Sequence, residues 1–270
     1  MKNRGERRRL RWYIKMLTVF ARMSLQSQLE YRLNFLAFTS VELGYMIIKL
    51  LYLAVVVNAG VNIGPLTPDM VMIFVGTYIF MTGVWMLLSG VNDIPLKVFY
   101  GEMDMLLTKP GSLQFLQTFG RFNFGLAFPN MAAGIVLMIV GWVRAGIPVN
   151  FLQVTGFIFY LCMGMLMTYS FILIPTLFIF WTASLGGLGN IISATWDFNN
   201  MPMLMYNKVI RAIGTYVLPV FLLTNWAGMF ILHQLSVFEA IWGIIVPIGL
   251  LILSRHLWKR AFRRYQSAGG

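Results

Sequence analysis

A chain of 270 residues that is 59% hydrophobic and 11% charged lies far from soluble domains, in which roughly a quarter of residues are charged. Its net charge of +12 sits at the ends of apolar runs and not on a polar domain. That excludes a nucleic-acid-binding module and fits a multi-pass membrane protein facing anionic lipid. A single cysteine, Cys162, excludes an internal disulfide and a thiolate metal cluster.

Residues 1–270 therefore read as one all-α integral membrane domain. It has a cytoplasmic amphipathic segment over 1–31, six transmembrane helices over 33–255 and a basic cytoplasmic tail over 256–270. In the first segment Arg8, Arg11, Lys15, Arg22 and Gln26 share one helical face, and Leu10, Tyr13, Ile14, Leu17, Phe20 and Ala21 take the opposite one. Such a helix lies in the membrane interface; alternatively its bases only set topology. A cleaved signal peptide is not expected, because the apolar run that follows is too long and no Ala-x-Ala site closes it.

Six stretches hold the roughly 20 mostly apolar residues a membrane helix needs: 33–57, 69–90, 123–143, 152–182, 210–233 and 238–255. The fourth is over-long and is expected to tilt, kink near Pro175 or extend beyond the lipid. Segments 1–32, 91–122, 183–211 and 255–270 carry every Lys and Arg except Lys49 and Arg144. The positive-inside rule then places both termini in the cytoplasm and requires an even number of spans.

Two internal loops face the cytoplasm in this scheme. Gly101–Phe122 carries Glu102, Asp104, Lys109 and Arg121 among Met103, Met105, Leu106 and Leu107, with a helix end at Pro110-Gly111. Too apolar for a free linker and too charged to cross a bilayer, it is expected as a short helix at the membrane surface. The second loop, from about Thr182 to Lys208, opens with Gly186, Gly187 and Gly189 and continues through Trp196, Asp197, Asn199 and Pro202. It too reads as a short surface element. Pro219, Asn225, Gly228 and His233 punctuate the fifth span. A span that breaks and re-enters from the outer side explains that pattern, and a simple Pro-kinked helix is the other reading.

Glu42 and Lys49 lie inside the first span, on one face but about 10 Å apart along the axis, too far for a direct pair. Lys49 can snorkel toward the outer interface. Glu42, nearer the middle, either contacts neighbouring helices or a second chain, or lines a substrate path. The 19 methionines and 22 phenylalanines serve as packing, or line an adaptable apolar cavity. No G-x-x-x-x-G-K-[ST] occurs, so any ATP-driven work is powered in trans. With only His233 and His256 and no H-E-x-x-H, a histidine metal site is not expected, and no nucleophile–base set supports an enzyme.

The stretch from Gly101 to Pro110, followed by Leu113-Gln-Phe-Leu116 and Arg121-Phe122, resembles a cytoplasmic segment of type-2 ABC exporter permeases of the small six-span prokaryotic branch. Trp196-Asp197-Phe198, Met201-Pro202, Tyr206 and Thr215-Tyr216-Val217-Leu218-Pro219 resemble a second segment of the same family, in the same order. One departure is Thr224-Asn225-Trp226-Ala227-Gly228, where a proline is expected shortly after Pro219. The resemblance implies that Gly101, Glu102, Asp104, Leu106, Leu107, Lys109 and Pro110 form or flank a coupling helix. It further implies that 8–28 form an interfacial connecting helix, that Trp196, Asp197 and Pro202 belong to a second cytoplasmic motif, and that the fifth span supplies the outer re-entrant turn around Pro219, Asn225 and Gly228. It also implies partners: two ATP-binding ABC subunits, which hold ATP and Mg, and a second permease chain, identical or homologous. The chain itself would carry no cofactor and no catalytic residue, and would sit in the prokaryotic inner membrane. The rivals are an ATP-independent secondary transporter using Glu42, an integral membrane enzyme, and a passive immunity or scaffold protein.

Overall fold

Residues 2–60, 62, 64–182 and 188–265 are described in a computed structural model of the chain, and no strand occurs among them. The side chain of Arg8, the glycines Gly186 and Gly187, and the last five residues of the tail lie outside the described residues. In lipid, backbone N–H and C=O groups must be satisfied within the segment, so apolar runs become helices. They are α1 (Lys2–Glu30), α2 (Arg32–Ala59), α3 (Pro68–Leu87), α4 (Ser89–Asn92), α5 (Ile94–Phe99), α6 (Asp104–Leu107) and α7 (Leu113–Phe119). The second half holds α8 (Phe124–Arg144), α9 (Phe151–Thr176), α10 (Ile179–Thr182), α11 (Leu188–Asp197), α12 (Lys208–Ala212), α13 (Asn225–Ile231) and α14 (Val237–Phe262). Five helices are long and apolar enough to cross a membrane: α2, α3, α8, the continuous run of α9 and α10, and α14. The over-long fourth span bends just past Pro175, where the Phe178 N–H turns back to the Pro175 carbonyl before α10 begins.

The bundle is built around α3, which is buried without interruption from Val71 to Val84. Its main partner is α8, and glycines make the contact possible. A Cβ on Gly134 would stand 2.6 Å from the Gly76 carbonyl oxygen, and one on Gly83 2.8 Å from that of Ala127. Small residues let two membrane helices approach to backbone contact, where dispersion replaces the missing hydrophobic drive. The helix starts are capped as their sequences require: Thr67 on α3, Asn123 on α8, Asn150 on α9, and a Ser236–Glu239 capping box on α14. At one end of the bundle Arg144 bonds Asp69 at 2.7 Å. We call this the far end and the end carrying α1 the near end.

The stretch 188–233 departs most from expectation. No continuous helix covers 210–233. Instead α12 runs into a π turn (Ile213–Val217), and a 3₁₀ turn (Val220–Leu223) leads into α13. These pieces belong to the far end, because the Thr215 carbonyl accepts from Trp242 Nε1 at 3.0 Å and Tyr216 packs on Phe238 at the start of α14. Leu204 already sits beside Gly64 in the loop after α2. Lys208 and Arg211, grouped above with a cytoplasmic segment, are therefore carried at the far end. The chain passes between the two ends over 188–204, earlier than the hydropathy suggested. Asp197, Asn199 and Asn200 interrupt that passage, and a window average reads them as loop.

Candidate functional site

The near end carries the segment Gly101–Phe122. It is not one helix: α6 is a single turn, entered through Gly101 (φ 72°) and left through Gly111 (φ 121°), both in the region that favours glycine. Met103 is its anchor, 1% exposed in a cluster with Val91 and Ile94, the ends of α9 and α10 (Leu173, Leu177, Ile179) and Trp258 of α14. Leu106 packs at the margin of that cluster, and Asp104 stands beside Tyr265, whose hydroxyl is pushed up from its usual pKa by burial first and by that carboxylate. On the outer side Glu102, Leu107, Lys109 and Pro110 are exposed. With Leu96, Phe99, Tyr100 and Met105, at 65% exposure, Leu107 forms an apolar patch at the near end. Patches of this kind, rimmed by charge, mark docking surfaces.

The α1 helix braces this region from the side. Ser24 accepts from the Phe122 N–H at 3.1 Å, while Gln28 donates to the Phe122 carbonyl at 2.7 Å and accepts from the Gly125 N–H at 3.0 Å. Trp12 covers Gly111 closely enough that a Cβ there would lie 2.5 Å from the indole, and Tyr13 meets Phe115 edge-on at 4.6 Å. Its apolar arc is thus shared: Tyr13, Leu17, Phe20 and Ala21 turn toward protein, whereas Leu10 and Ile14 stay exposed. Arg121 pairs with Asp93 at 3.1 Å. Lys97 donates to Gln117 at 3.2 Å; burial lowers its pKa, against the opposing pull of Asp93 and Glu102.

A second feature lies at mid-depth. A cleft of about 620 Å³ between α2, α3 and α11 is lined by Glu42, Lys49, Tyr78, Trp85, Trp196 and Asp197, with Tyr45 and Tyr52 at its walls. Glu42 is 8% exposed and accepts from Asn130 Nδ2 of α8 at 2.7 Å. Lys49 stands over the Tyr78 ring, its Nζ 4.6 Å from the centroid, so the aromatic face stabilises the ammonium where water is scarce. The structure brings together residues that the sequence left apart, since Glu42 and Lys49 share this cleft with Trp196 and Asp197. The surface position expected for the Trp196 motif is overturned for Trp196 and Pro202, whereas Asp197 is exposed. Trp196 is 3% exposed and packs on Trp85 (4.6 Å) and Tyr78 (6.2 Å), and Pro202 is buried. Tyr78 lies nine residues from the near end of α3, about 14 Å at the helical rise.

What allows polar residues at this depth is a buried network. Thr224 Oγ1 donates to Asn199 Oδ1 at 2.7 Å, Asn225 Nδ2 donates to Thr224 Oγ1 at 3.0 Å, and Asn225 Oδ1 accepts from the Met203 N–H at 2.8 Å. Of Thr224 and Asn225, which stand where the resembled family suggests a proline, Asn225 satisfies the broken backbone at Met203 and Phe221, and Thr224 engages the side chain of Asn199. From Asn225 the chain climbs back to the far end. Gly228 lets Phe74 approach, a Cβ there meeting its ring at 2.8 Å, and Pro219 lies at the sharp bend before the 3₁₀ turn. Sequence reasoning missed Asn130, and it named Asn199 and Thr224 without giving either a role. Asn130, polar inside an apolar span and adjacent to Pro129, was the one with a visible signal.

Among the described residues no group of three or more His, Cys, Asp or Glu side chains is placed to hold a metal. No curated protein and no solved structure matches the chain. A family model described as "ABC-2 family transporter protein" matches residues 43–269, from within α2 to beyond α14. That stretch takes in the cleft apart from Glu42, the patch at the near end and four complete spanning helices, so this multi-pass membrane protein has a permease's role in an ABC transporter and belongs to the ABC-2 transporter family.

Proposed function

We propose that the chain is the membrane half of an ATP-driven exporter, docked on two separate ATP-binding subunits through Gly101–Pro110 and paired with a second permease chain. The observation that carries this reading is the apolar patch of Leu96, Phe99, Tyr100, Met105 and Leu107, rimmed by Glu102 and Lys109. Its inner side is tied through Met103 to α9, α10 and α14. Movement of a docked ATPase would therefore reach three elements of the bundle through one packed cluster. The broken passage over 188–204 counts as a sixth crossing and returns both termini to the cytoplasm.

The cargo path is the cleft of Glu42, Lys49 and Asp197. It is closed on one side by α3 and left open along α2, where Val41, Tyr45, Ile48 and Val55 are exposed; a second permease chain would complete it. Purification of the tagged chain from its native membrane in mild detergent, with mass spectrometry of bound proteins, tests the reading. A stoichiometric ATP-binding protein is expected, lost when Glu102→Lys and Asp104→Lys are combined. A chain that emerges alone and moves cargo in liposomes without ATP would replace this reading with a secondary transporter using Glu42.

A further inference from the structure

We infer that a groove between α1, α7, α9 and α14 is a binding site for an anionic phospholipid, with the acyl chain seated at membrane depth and the phosphate on a basic stripe of α14. The groove encloses about 700 Å³, and its walls are chiefly Tyr13, Phe115, Phe119, Met165, Leu166 and Leu251. Its buried polar atoms are already engaged within the protein, since Tyr169 OH meets Gln114 Nε2 at 2.8 Å and Thr118 Oγ1 at 3.2 Å. What remains is an apolar seat of the size of a lipid tail.

At the near end this groove runs into a smaller cavity. The two share Ser112, Gln114 and Arg255, and the second adds Trp258, Lys259 and Arg263. Arg255 and Lys259, four residues apart, project along one side of α14, and Arg263, its C-cap four residues further on, continues the row. No Asp or Glu lines either cavity. All three bases are exposed, and none makes an ion pair among the described residues. An apolar seat that ends in three uncompensated cations beside an indole has the shape and charge of an anionic lipid standing in the cytoplasmic leaflet. A lipid there would touch α1 and α7 on one side and α9 and α14 on the other, bridging the proposed coupling region to the bundle.

The test uses the full purified chain, delipidated and then offered phosphatidylglycerol or phosphatidylcholine of the same acyl chains, with native mass spectrometry counting retained lipid. Phosphatidylglycerol should be retained preferentially. The combined variant Arg255→Gln, Lys259→Gln, Arg263→Gln should weaken it on the order of 100-fold, at roughly fivefold per base. Removing the same charge from α1 (Arg11→Gln, Lys15→Gln, Arg22→Gln) should leave retention intact. Leu251→Trp, which fills the seat, should also release the lipid, whereas millimolar inorganic phosphate should not displace it. Equal retention of the two lipids, equal loss from the α1 variant, or displacement by phosphate alone would each overturn the inference. Capture of an acidic protein segment by the stripe in place of lipid would do so too. Because the three bases are exposed, an unchanged melting temperature separates lost binding from lost folding.

Discussion

Asn225 offers the sharpest test of how this chain tolerates a broken backbone at membrane depth. The residue is 1% exposed. Its Oδ1 takes the Met203 N–H at 2.8 Å, and its Nδ2 donates to Thr224 Oγ1 at 3.0 Å and the Phe221 carbonyl at 3.3 Å. Replacing it by Ala leaves the Met203 N–H without a partner in a dry site, a cost of about 1–3 kcal/mol. The lost donations add about 1 kcal/mol, giving roughly 3 kcal/mol in all. Interhelical hydrogen bonds in membranes average only about 0.6 kcal/mol because the separated groups find other partners. A backbone N–H at a 3₁₀ turn held by a single side chain has no such alternative, so the larger figure applies. Thr224→Val should cost less, about 1 kcal/mol, since Asn225 Nδ2 remains 3.5 Å from Asn199 Oδ1. Unfolding in detergent, followed by the fluorescence of the eight tryptophans, should show Asn225→Ala melting roughly 6–12 °C below the wild type. Should Asn225→Ala lie within about 0.5 kcal/mol of the wild type, or should Thr224→Val cost more, water must reach the break and the network is not what sustains it.

Two further outcomes follow from the packing and from one buried base. Gly134→Leu should destabilise the bundle by about 3 kcal/mol or more, because its Cβ would meet the Gly76 carbonyl and the Phe80 nitrogen at 2.6 Å; Gly249→Leu, with nothing within 4 Å, should melt like the wild type. Equal melting of the two variants would refute the α3–α8 seam. For Lys97, burial holds the folded-state pKa below the ordinary 10.5, so the unfolded chain binds that proton more tightly and stability rises with pH up to about 10.5. Melting curves taken between neutral pH and pH 10 should show the wild type gaining on Lys97→Met as pH rises, and parallel pH dependences would contradict a desolvated ammonium.

Hydropathy alone located α2, α3, α8, α9 and α14, because a run of apolar residues in lipid has only one way to satisfy its own backbone. Pro175 marked the bend before α10, an effect of neighbours in sequence. The amphipathic start and the mixed apolar and charged stretch at Gly101 were legible for the same reason, although the shape of that stretch, one turn and not a longer helix, depends on Met103 finding its cluster among α9, α10 and α14.

The region from Leu188 to His233 was decided by tertiary structure. Asp197, Asn199 and Asn200 look like loop residues until Thr224 and Asn225, some 25 positions later, supply the hydrogen bonds that let Asn199 be buried. Likewise Glu42 and Lys49 declared themselves as charges in a span, but only the packing of α11 against α2 and α3 put Asp197 and Trp196 in the same cleft. Local periodicity reports what a segment can do by itself. Whether a polar group at membrane depth is a cost or a site depends on the partner that reaches it, and the fold alone chooses that partner.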